Sequence, residues 1–191
     1  MSKRVWHPVI YWRVSGMRQR IKQFITALTA KITPADRAFV KQYLTPAEER
    51  LFWQMNRPDQ RHTLNVAYTV LRLIAGRAQI RRFVLIKSAL LHDVGKTKGD
   101  VSTADKVITV LARRLLPGPA ARWGRPGRGG RFANLRHAFY IYFHHPARGA
   151  QLLKQAGTEA AVVEIVAKHH AAPVEEDPPE LIILRQADDK N

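Results

Sequence analysis

Histidine and aspartate side chains that could bind a divalent metal ion lie at the ends of several predicted helices. The chain has eight histidines and no cysteine, so thiolate ligands are excluded and a metal would need His, Asp or Glu. Four histidines fall at predicted helix ends: His92, His145, His169 and His170. Side chains from separate helices can converge at such ends, and metal sites in helical bundles are built from inward-facing residues of that kind.

The central pair is His92 and Asp93, in the stretch LLHDVGKTKGD at 90–100. An imidazole and an adjacent carboxylate offer one neutral and one anionic ligand to a divalent cation. Neighbouring helical residues point ~100° apart, so both can reach one ion only at the end of a helix, where this pair lies. The dipeptide occurs by chance in many chains, and a metal site therefore requires further ligands elsewhere.

Other candidates each have a structural alternative. His62 could be a partly buried surface histidine, and His169–His170 could interact with the C-terminus of their helix or contact a phosphate. Lys96 could be a solvated cation near a helix end or a point charge that binds phosphate. His144 has no assigned role, and His137 could face a cleft or solvent.

Apolar residues recur with a helical period along most of the chain, which predicts an all-α fold. The predicted helices cover residues 45–55, 62–75, 80–93, 104–116, 134–145, 144–157, 158–170 and 178–191. No paired hairpin signal accompanies the short β-prone runs.

Local signals predict where several of these helices begin and end. Thr45 is a predicted N-cap with Glu48 completing a capping box. Pro146 is placed in the first turn of a new helix, and Thr158 is a candidate N-cap. Gly95 is predicted to end its helix in a left-handed conformation, and Gly157 to end another.

The basic charge is unevenly distributed. The 191 residues carry a net charge of +17, and the ranges 1–35 and 106–158 contain no acid. We predict a basic helical appendage over residues 1–40 and one domain over 41–191, with a Pro/Gly/Arg-rich mobile loop at 117–131. Such a field attracts phosphorylated small molecules, nucleic acid or an anionic lipid surface.

No sequence stretch approaches the ~20 apolar residues of a membrane span, and the N-terminus lacks the features of a secretory signal. A cytoplasmic location is the expectation. Residues 4–28 could lie on a membrane surface, with Trp6, Tyr11 and Trp12 at the headgroups; a helix packed on the domain is the favoured alternative. The sequence does not indicate an oligomeric state.

The ordered motifs resemble those of the HD-domain metal-dependent phosphohydrolases. His62 in DQRHTLNVA, His92–Asp93 in LLHDVGK and Asp188 in LRQAD follow the family's order. HPARGA at 145–150 looks like the HPxxGA element of the family's two-metal members, and AKHH at 167–170 looks like their histidine pair. The resemblance covers about residues 45–189 and implies an HD-like helical bundle with a metal site between its helices.

The resemblance also implies a ligand set. A first metal would be held by His62, His92, Asp93 and Asp188, and Asp93 would bridge to a second metal held by His145, His169 and His170. Asp93 and Lys96 would be the catalytic residues. Imidazole and carboxylate ligands suit Mn, Fe, Co, Ni or Zn, whereas Mg fits less well with this many imidazoles.

The implied activity is hydrolysis of a phosphomonoester or phosphodiester by metal-activated water. The implied substrate is a nucleotide or dinucleotide, although the GYP motif of the cyclic-di-GMP-degrading subgroup is missing after His170. Candidate substrate contacts, besides Lys96, are Arg113, Arg114, Arg122, Arg125, Arg128, Arg131 and Arg148, with Trp123 as a base-stacking ring. The alternative is a basic nucleic-acid or membrane-surface binding module whose HD site is structural or vestigial.

Overall fold

A computed structural model describes residues 31–102 and 122–191, together with the isolated positions 105, 108, 109 and 112. This part of the chain contains seven α-helices and no β-strand, which confirms the all-α prediction. The helices are α1 (Pro34–Tyr43), α2 (Pro46–Gln54), α3 (Arg57–Leu73), α4 (Arg82–Leu91), α5 (Arg131–Gln155), α6 (Ala160–Lys168) and α7 (Pro179–Lys190).

The first two helices begin at matching caps. Thr45 caps α2 and forms a capping box with Glu48, as predicted. Thr33 and Asp36 form a second capping box at the start of α1. In both helices a proline follows the cap, where its missing N–H costs nothing because the first backbone donors have no helical partner.

Helix α4 lies at the centre of the bundle and packs against α1, α2, α3, α6 and α7. Its sequence is apolar on nearly all sides, which is typical of a buried helix, and Leu85, Ile86, Leu90 and Leu91 are fully buried. The His92–Asp93 pair directly follows the last residue of α4, Leu91. Because α4 is buried in the core, this pair is buried as well.

Helix α5 is continuous across Pro146, so the predicted separation into two helices at 134–145 and 144–157 is wrong. A proline inside a helix removes one backbone donor and leaves the carbonyl four residues earlier without its usual partner. Here that carbonyl belongs to Tyr142, and Nδ1 of His145 bonds it instead at 2.8 Å. The helix therefore tolerates Pro146.

Two other predicted helix boundaries need correction. Gly95 is not among the described glycines with positive φ; a glycine is needed because a Cβ there would lie 2.1 Å from the backbone oxygen of His145. The N-cap of α6 is Glu159 rather than Thr158. Gly157, with φ of +73°, ends α5 as predicted.

The division into an appendage over 1–40 and a domain over 41–191 stays a prediction. Residues 1–30 and most of 103–121 lie outside the described residues, and with them the predicted surface helix, the helix at 104–116 and the first part of the 117–131 loop. Helix α1 contributes Val40 and Tyr43 to the core. Among the described helices, none is both long enough and apolar enough to cross a membrane.

Candidate metal centre

Five helices bring the seven predicted ligand side chains to one place. His62 comes from α3, the His92–Asp93 pair directly follows α4, and His145 lies within α5. The His169–His170 pair follows α6, and Asp188 lies near the end of α7. Two groups of potential metal ligands result: His62, His92 and Asp93 form one, and His145, His169 and His170 form the other.

The first group is completed by Asp188. Its Oδ1 lies 2.8 Å from Nε2 of His62 and 3.7 Å from Nε2 of His92. Oδ2 of Asp93 lies 3.6 Å from the same His92 nitrogen and 4.0 Å from that of His62. Two imidazoles and two carboxylates thus face a common point.

The second group consists of three closely packed imidazoles. The ring centroids of His169 and His170 are 4.2 Å apart, and that of His145 lies 5.3 Å and 5.0 Å from them. One candidate ligand atom from each ring lies within 4.8 Å of the others. His145 and His169 are buried, whereas His170 is exposed and would be the ligand nearest to solvent.

Asp93 lies between the two groups. Oδ2 faces His62 and His92, whereas Oδ1 lies 3.3 Å from Nε2 of His145. Oδ1 also lies 2.7 Å from Nζ of Lys96. The side chain is only 3% exposed, so this carboxylate is placed to use one oxygen on each side, as a bridging ligand does.

Three of the histidines are oriented by backbone carbonyls of their own helices. Nδ1 of His92 lies 2.9 Å from the carbonyl oxygen of Ala89. Nδ1 of His145 lies 2.8 Å from that of Tyr142, and Nδ1 of His169 lies 2.7 Å from that of Val166. A carbonyl can only accept, so each Nδ1 carries the proton and each Nε2 of a neutral ring keeps its lone pair. Orientation of this kind is typical of metal-binding histidines.

These carbonyls are free for local reasons. Ala89 and Val166 belong to the last turns of α4 and α6, where carbonyls have no helical donor, and Tyr142 is freed by Pro146. The Nε2 atoms of His92, His145 and His169 are buried without a hydrogen-bond partner. Buried unpaired acceptors are costly, and one divalent cation in each group would satisfy all three.

The charges in the centre suit a cation. Burial raises the pKa of Asp93, but Lys96 and His92 more than offset it and hold the pKa of that carboxyl well below its usual range. Burial lowers the pKa of His145 and takes that of His169 well below its usual value. Asp93 therefore offers a carboxylate, and His145 and His169 offer neutral imidazoles, at neutral pH. In His62 burial lowers the pKa, but the hydrogen bond and charge of Asp188 more than offset it and raise that pKa.

The predicted substrate contacts are distributed differently. Arg148 pairs with Asp100 at 2.5 Å and bonds Thr97 Oγ1 at 3.2 Å, and the Arg128 side chain donates to the carbonyl of Gly99. The described structure therefore uses both arginines to hold the loop at 97–100. Arg122, Arg125 and Arg131 are exposed, and Arg113 and Arg114 lie outside the described residues.

Trp123, proposed above as a stacking ring, makes edge contacts with Phe132 and Phe139 at centroid distances of 5.2 and 5.1 Å. The role of its exposed part in binding a base stays a prediction. His137 is mostly buried beside Asp100, 3.9 Å away, and His144 is exposed and makes a tilted ring contact with Tyr140.

One supporting residue is not predicted by the motifs. Arg185 on α7 donates to the carbonyls of Lys168 at 2.8 Å and His169 at 3.3 Å, and it pairs with Asp177. It therefore fixes the end of α6, where the histidine pair begins. Its spacing of three residues before Asp188 places both on one face of α7, the only sequence signal that could have identified it.

A family model described as HD domain matches residues 60–190, more than half of the chain. The chain belongs to the HD domain family, whose members bind divalent metals and are generally metal-dependent phosphohydrolases. No curated protein and no solved structure gives a significant match. The family assignment confirms the resemblance to the HD-domain family, and the match spans all seven predicted metal ligands. The likeness to the family's two-metal members stays a prediction.

Proposed function

We propose that the chain is a phosphohydrolase with two metal ions that cleaves a phosphoester in a nucleotide-like anionic substrate. The observation that supports this most directly is the position of Asp93. One of its oxygens faces His62 and His92, and the other faces His145. A complete ligand set also argues against the alternative of a binding module with a vestigial site, since a decayed site should have lost ligands.

The seven ligands would hold two ions. His62, His92 and Asp188 would hold one ion, His145, His169 and His170 the other, and Asp93 would bridge. When bound, such ions lower the pKa of water and offset charge on a phosphoryl group. Burial of Asp93 excludes bulk water and strengthens the electrostatic interactions within the centre.

Lys96 has a second task in this proposal. Its ammonium holds Oδ1 of Asp93 at 2.7 Å, and its side chain is 22% exposed. The side chain can therefore orient the bridging carboxylate and present part of its charge to a phosphate oxygen. We propose a nucleotide or dinucleotide as substrate because the net charge of +17 attracts polyanions.

A matched pair of histidine variants tests the proposal. His145→Gln should reduce the metal content from about two ions per chain to about one and lower phosphoesterase activity by about 100-fold or more. The adjacent His144→Gln should leave both unchanged because His144 is exposed and lies outside the ligand groups. Metal content is measured by plasma mass spectrometry on untagged protein, and activity with p-nitrophenyl phosphate and bis(p-nitrophenyl) phosphate.

Two results would change the conclusion. A wild-type chain that holds one metal would be a mononuclear enzyme, with the second histidine group reassigned to substrate contacts. A chain that binds no metal after incubation with Mn or Fe would contradict the proposal and leave the binding-module alternative.

A further inference from the structure

A surface hollow lined by basic side chains lies where the start of α3 meets α1, the end of α2 and the loop after α4. We call it the basic hollow. A cavity of about 280 Å³ and an adjoining one of about 220 Å³ share three of its residues, Arg37, Arg57 and Gln60. The larger cavity is also lined by Trp53, Met55 and Lys98, and the smaller one by Lys31 and Ile32.

The floor of the basic hollow is held by specific hydrogen bonds. The side-chain amide of Gln60 donates to the carbonyls of Trp53 at 3.2 Å and Met55 at 2.8 Å. The backbone N–H of Lys98 donates to the carbonyl of Gln54 at 2.7 Å. These bonds join α3, the end of α2 and the loop after α4, so the position of the hollow is set by the fold.

The positive charge of the basic hollow is not balanced by acids. None of its lining residues is acidic, and within the described residues Arg37, Arg57 and Lys98 form no ion pair with a carboxylate. Arg37 instead lies over the Trp53 ring, 4.9 Å from its centroid. Like charges brought together repel each other, and a bound anion would relieve that repulsion.

Nearby carboxylates already have partners. Asp36, next to Arg37, pairs with Arg61 and accepts a hydrogen bond from Tyr68 at 2.8 Å. Glu49 accepts from Nε1 of Trp53 at 2.9 Å. Asp36 and Glu49 are therefore turned to groups other than the cations of the hollow.

This contrasts with two arginines that the sequence suggested as substrate contacts. Arg148 is neutralised by Asp100, and Arg128 donates to Gly99. The other side of the same loop carries Lys98, whose ammonium has no such partner in the described structure. The uncommitted charge next to the loop is thus on the side of the basic hollow.

We propose that the basic hollow binds a diphosphate group of a small molecule. Two guanidinium groups can each give paired hydrogen bonds to phosphate oxygens, and Lys98 adds a compact charge. The ring of Trp53 is covered by Arg37 on one face, so the site is suited to phosphates more than to a stacked base. None of the predicted metal ligands lines the basic hollow, and binding there would not require hydrolysis.

Titration with inorganic pyrophosphate, followed by calorimetry on the full chain, tests this site. The double variant R57Q/K98Q should bind pyrophosphate at least about tenfold more weakly than the wild type because two of the four lining cations are lost and only Lys31 and Arg37 remain. Arg77→Gln is the control, because it removes an exposed charge far from the basic hollow. Arg77 lies beyond the C-terminal end of α3, and the two ends of that helix are about 24 Å apart by helical rise.

Asp93→Ala separates this site from the metal centre. Pyrophosphate binding through the basic hollow should persist in Asp93→Ala, whatever happens to metal content and activity. Binding that survives in R57Q/K98Q but disappears in Asp93→Ala would assign it to the metal centre and overturn the proposal. Equal losses in R57Q/K98Q and Arg77→Gln would also overturn it, since the attraction would then be nonspecific.

Circular dichroism and thermal melting of each variant establish that the fold is intact. All three exchanged cations are exposed, so their removal should leave the melting curve close to that of the wild type. If R57Q/K98Q unfolds, the single variant Arg37→Gln serves instead, and unchanged binding in that folded variant would contradict the proposal.

Discussion

Neighbouring residues of the same type have opposite environments in this protein, and that contrast assigns their roles. Asp188 faces His62 and His92, whereas Asp189, the next residue, is exposed. His145 is buried beside Asp93, whereas His144 is exposed. On a helix, one step along the chain turns the side chain by ~100°, so only one member of each pair can face the centre.

Asparagine substitutions at these two aspartates should therefore have unequal effects. Asp188→Asn removes an anionic ligand from the first group and should weaken metal binding by at least about tenfold. Asp189→Asn changes the net charge identically but should leave affinity unchanged. Metal titration followed by plasma mass spectrometry measures both, and equal losses would contradict the assignment of Asp188.

At the scale of elements, a contact between two glycines sets the distance between α5 and the loop that follows α4. A Cβ atom at Gly95 would lie 2.1 Å from the backbone oxygen of His145. A Cβ atom at Gly149 would lie 3.2 Å from the backbone nitrogen of Gly95. The backbone next to Asp93 can therefore approach the backbone of His145. The short Asp93–His145 separation depends on this contact.

Gly95→Ala should consequently lower both stability and metal content. The added methyl group meets backbone atoms that cannot rotate away, so we expect a loss of about 1–3 kcal/mol in the free energy of unfolding. Gly129→Ala is the control, because its Cβ would make only an ordinary contact, 3.7 Å from Ala133, and should change stability by less than about 0.5 kcal/mol. Urea unfolding measures both, and similar values for the two variants would contradict the packing argument.

The sequence predicted the elements better than their junctions. Period and capping signals are local, so the predicted bounds of α2, α4, α6 and α7 lie within two residues of those observed, whereas α3 begins at Arg57, well before its predicted start at His62. The local pattern predicts a helix start at Pro146 because it does not reveal the compensating bond from His145 to the carbonyl of Tyr142. The local pattern predicts a helix cap at Gly95, whereas a glycine is required there because the backbone of α5, distant in sequence, lies against it.

The candidate site was predictable to the extent that motif order carries it. The seven ligands were named from the resemblance, and the structure brings them together. Arg185 and the roles of Arg128 and Arg148 were missed, because their partners are backbone carbonyls or acids distant in sequence. Composition alone could not distinguish an arginine that bonds a carbonyl or pairs with an acid from one that is available to bind a substrate.

At the scale of the whole molecule, acid should destabilise the fold. Several carboxylates away from the metal centre have a lowered pKa: Asp36, Glu48, Asp100, Asp177 and Glu180. In Asp36, burial alone would raise the pKa, but hydrogen bonds from Thr33, Arg61 and Tyr68 lower it to about 2. A group with a lowered folded pKa stabilises the fold above its unfolded pKa and loses that contribution as the pH falls.

The free energy of unfolding should therefore decrease as the pH falls from about 4 to about 2. Asp36→Asn should be less stable than the wild type by about 1–2 kcal/mol at neutral pH, and the difference should shrink across this range. Urea unfolding at a series of pH values measures it. Glu175→Gln, at an exposed residue, is the control and should follow the wild-type curve; a constant deficit in Asp36→Asn would contradict the linkage.

The anchoring of His92, His145 and His169 to carbonyls of their own helices has a thermodynamic consequence. The imidazoles are preorganised by the fold, so chelation should leave the far-ultraviolet circular dichroism unchanged and re-added metal should bind without refolding. Protein groups nevertheless leave three buried Nε2 lone pairs unsatisfied. Since ligand binding stabilises only the folded state, the melting temperature should rise with the concentration of free metal, and thermal stability would report the occupancy of the centre.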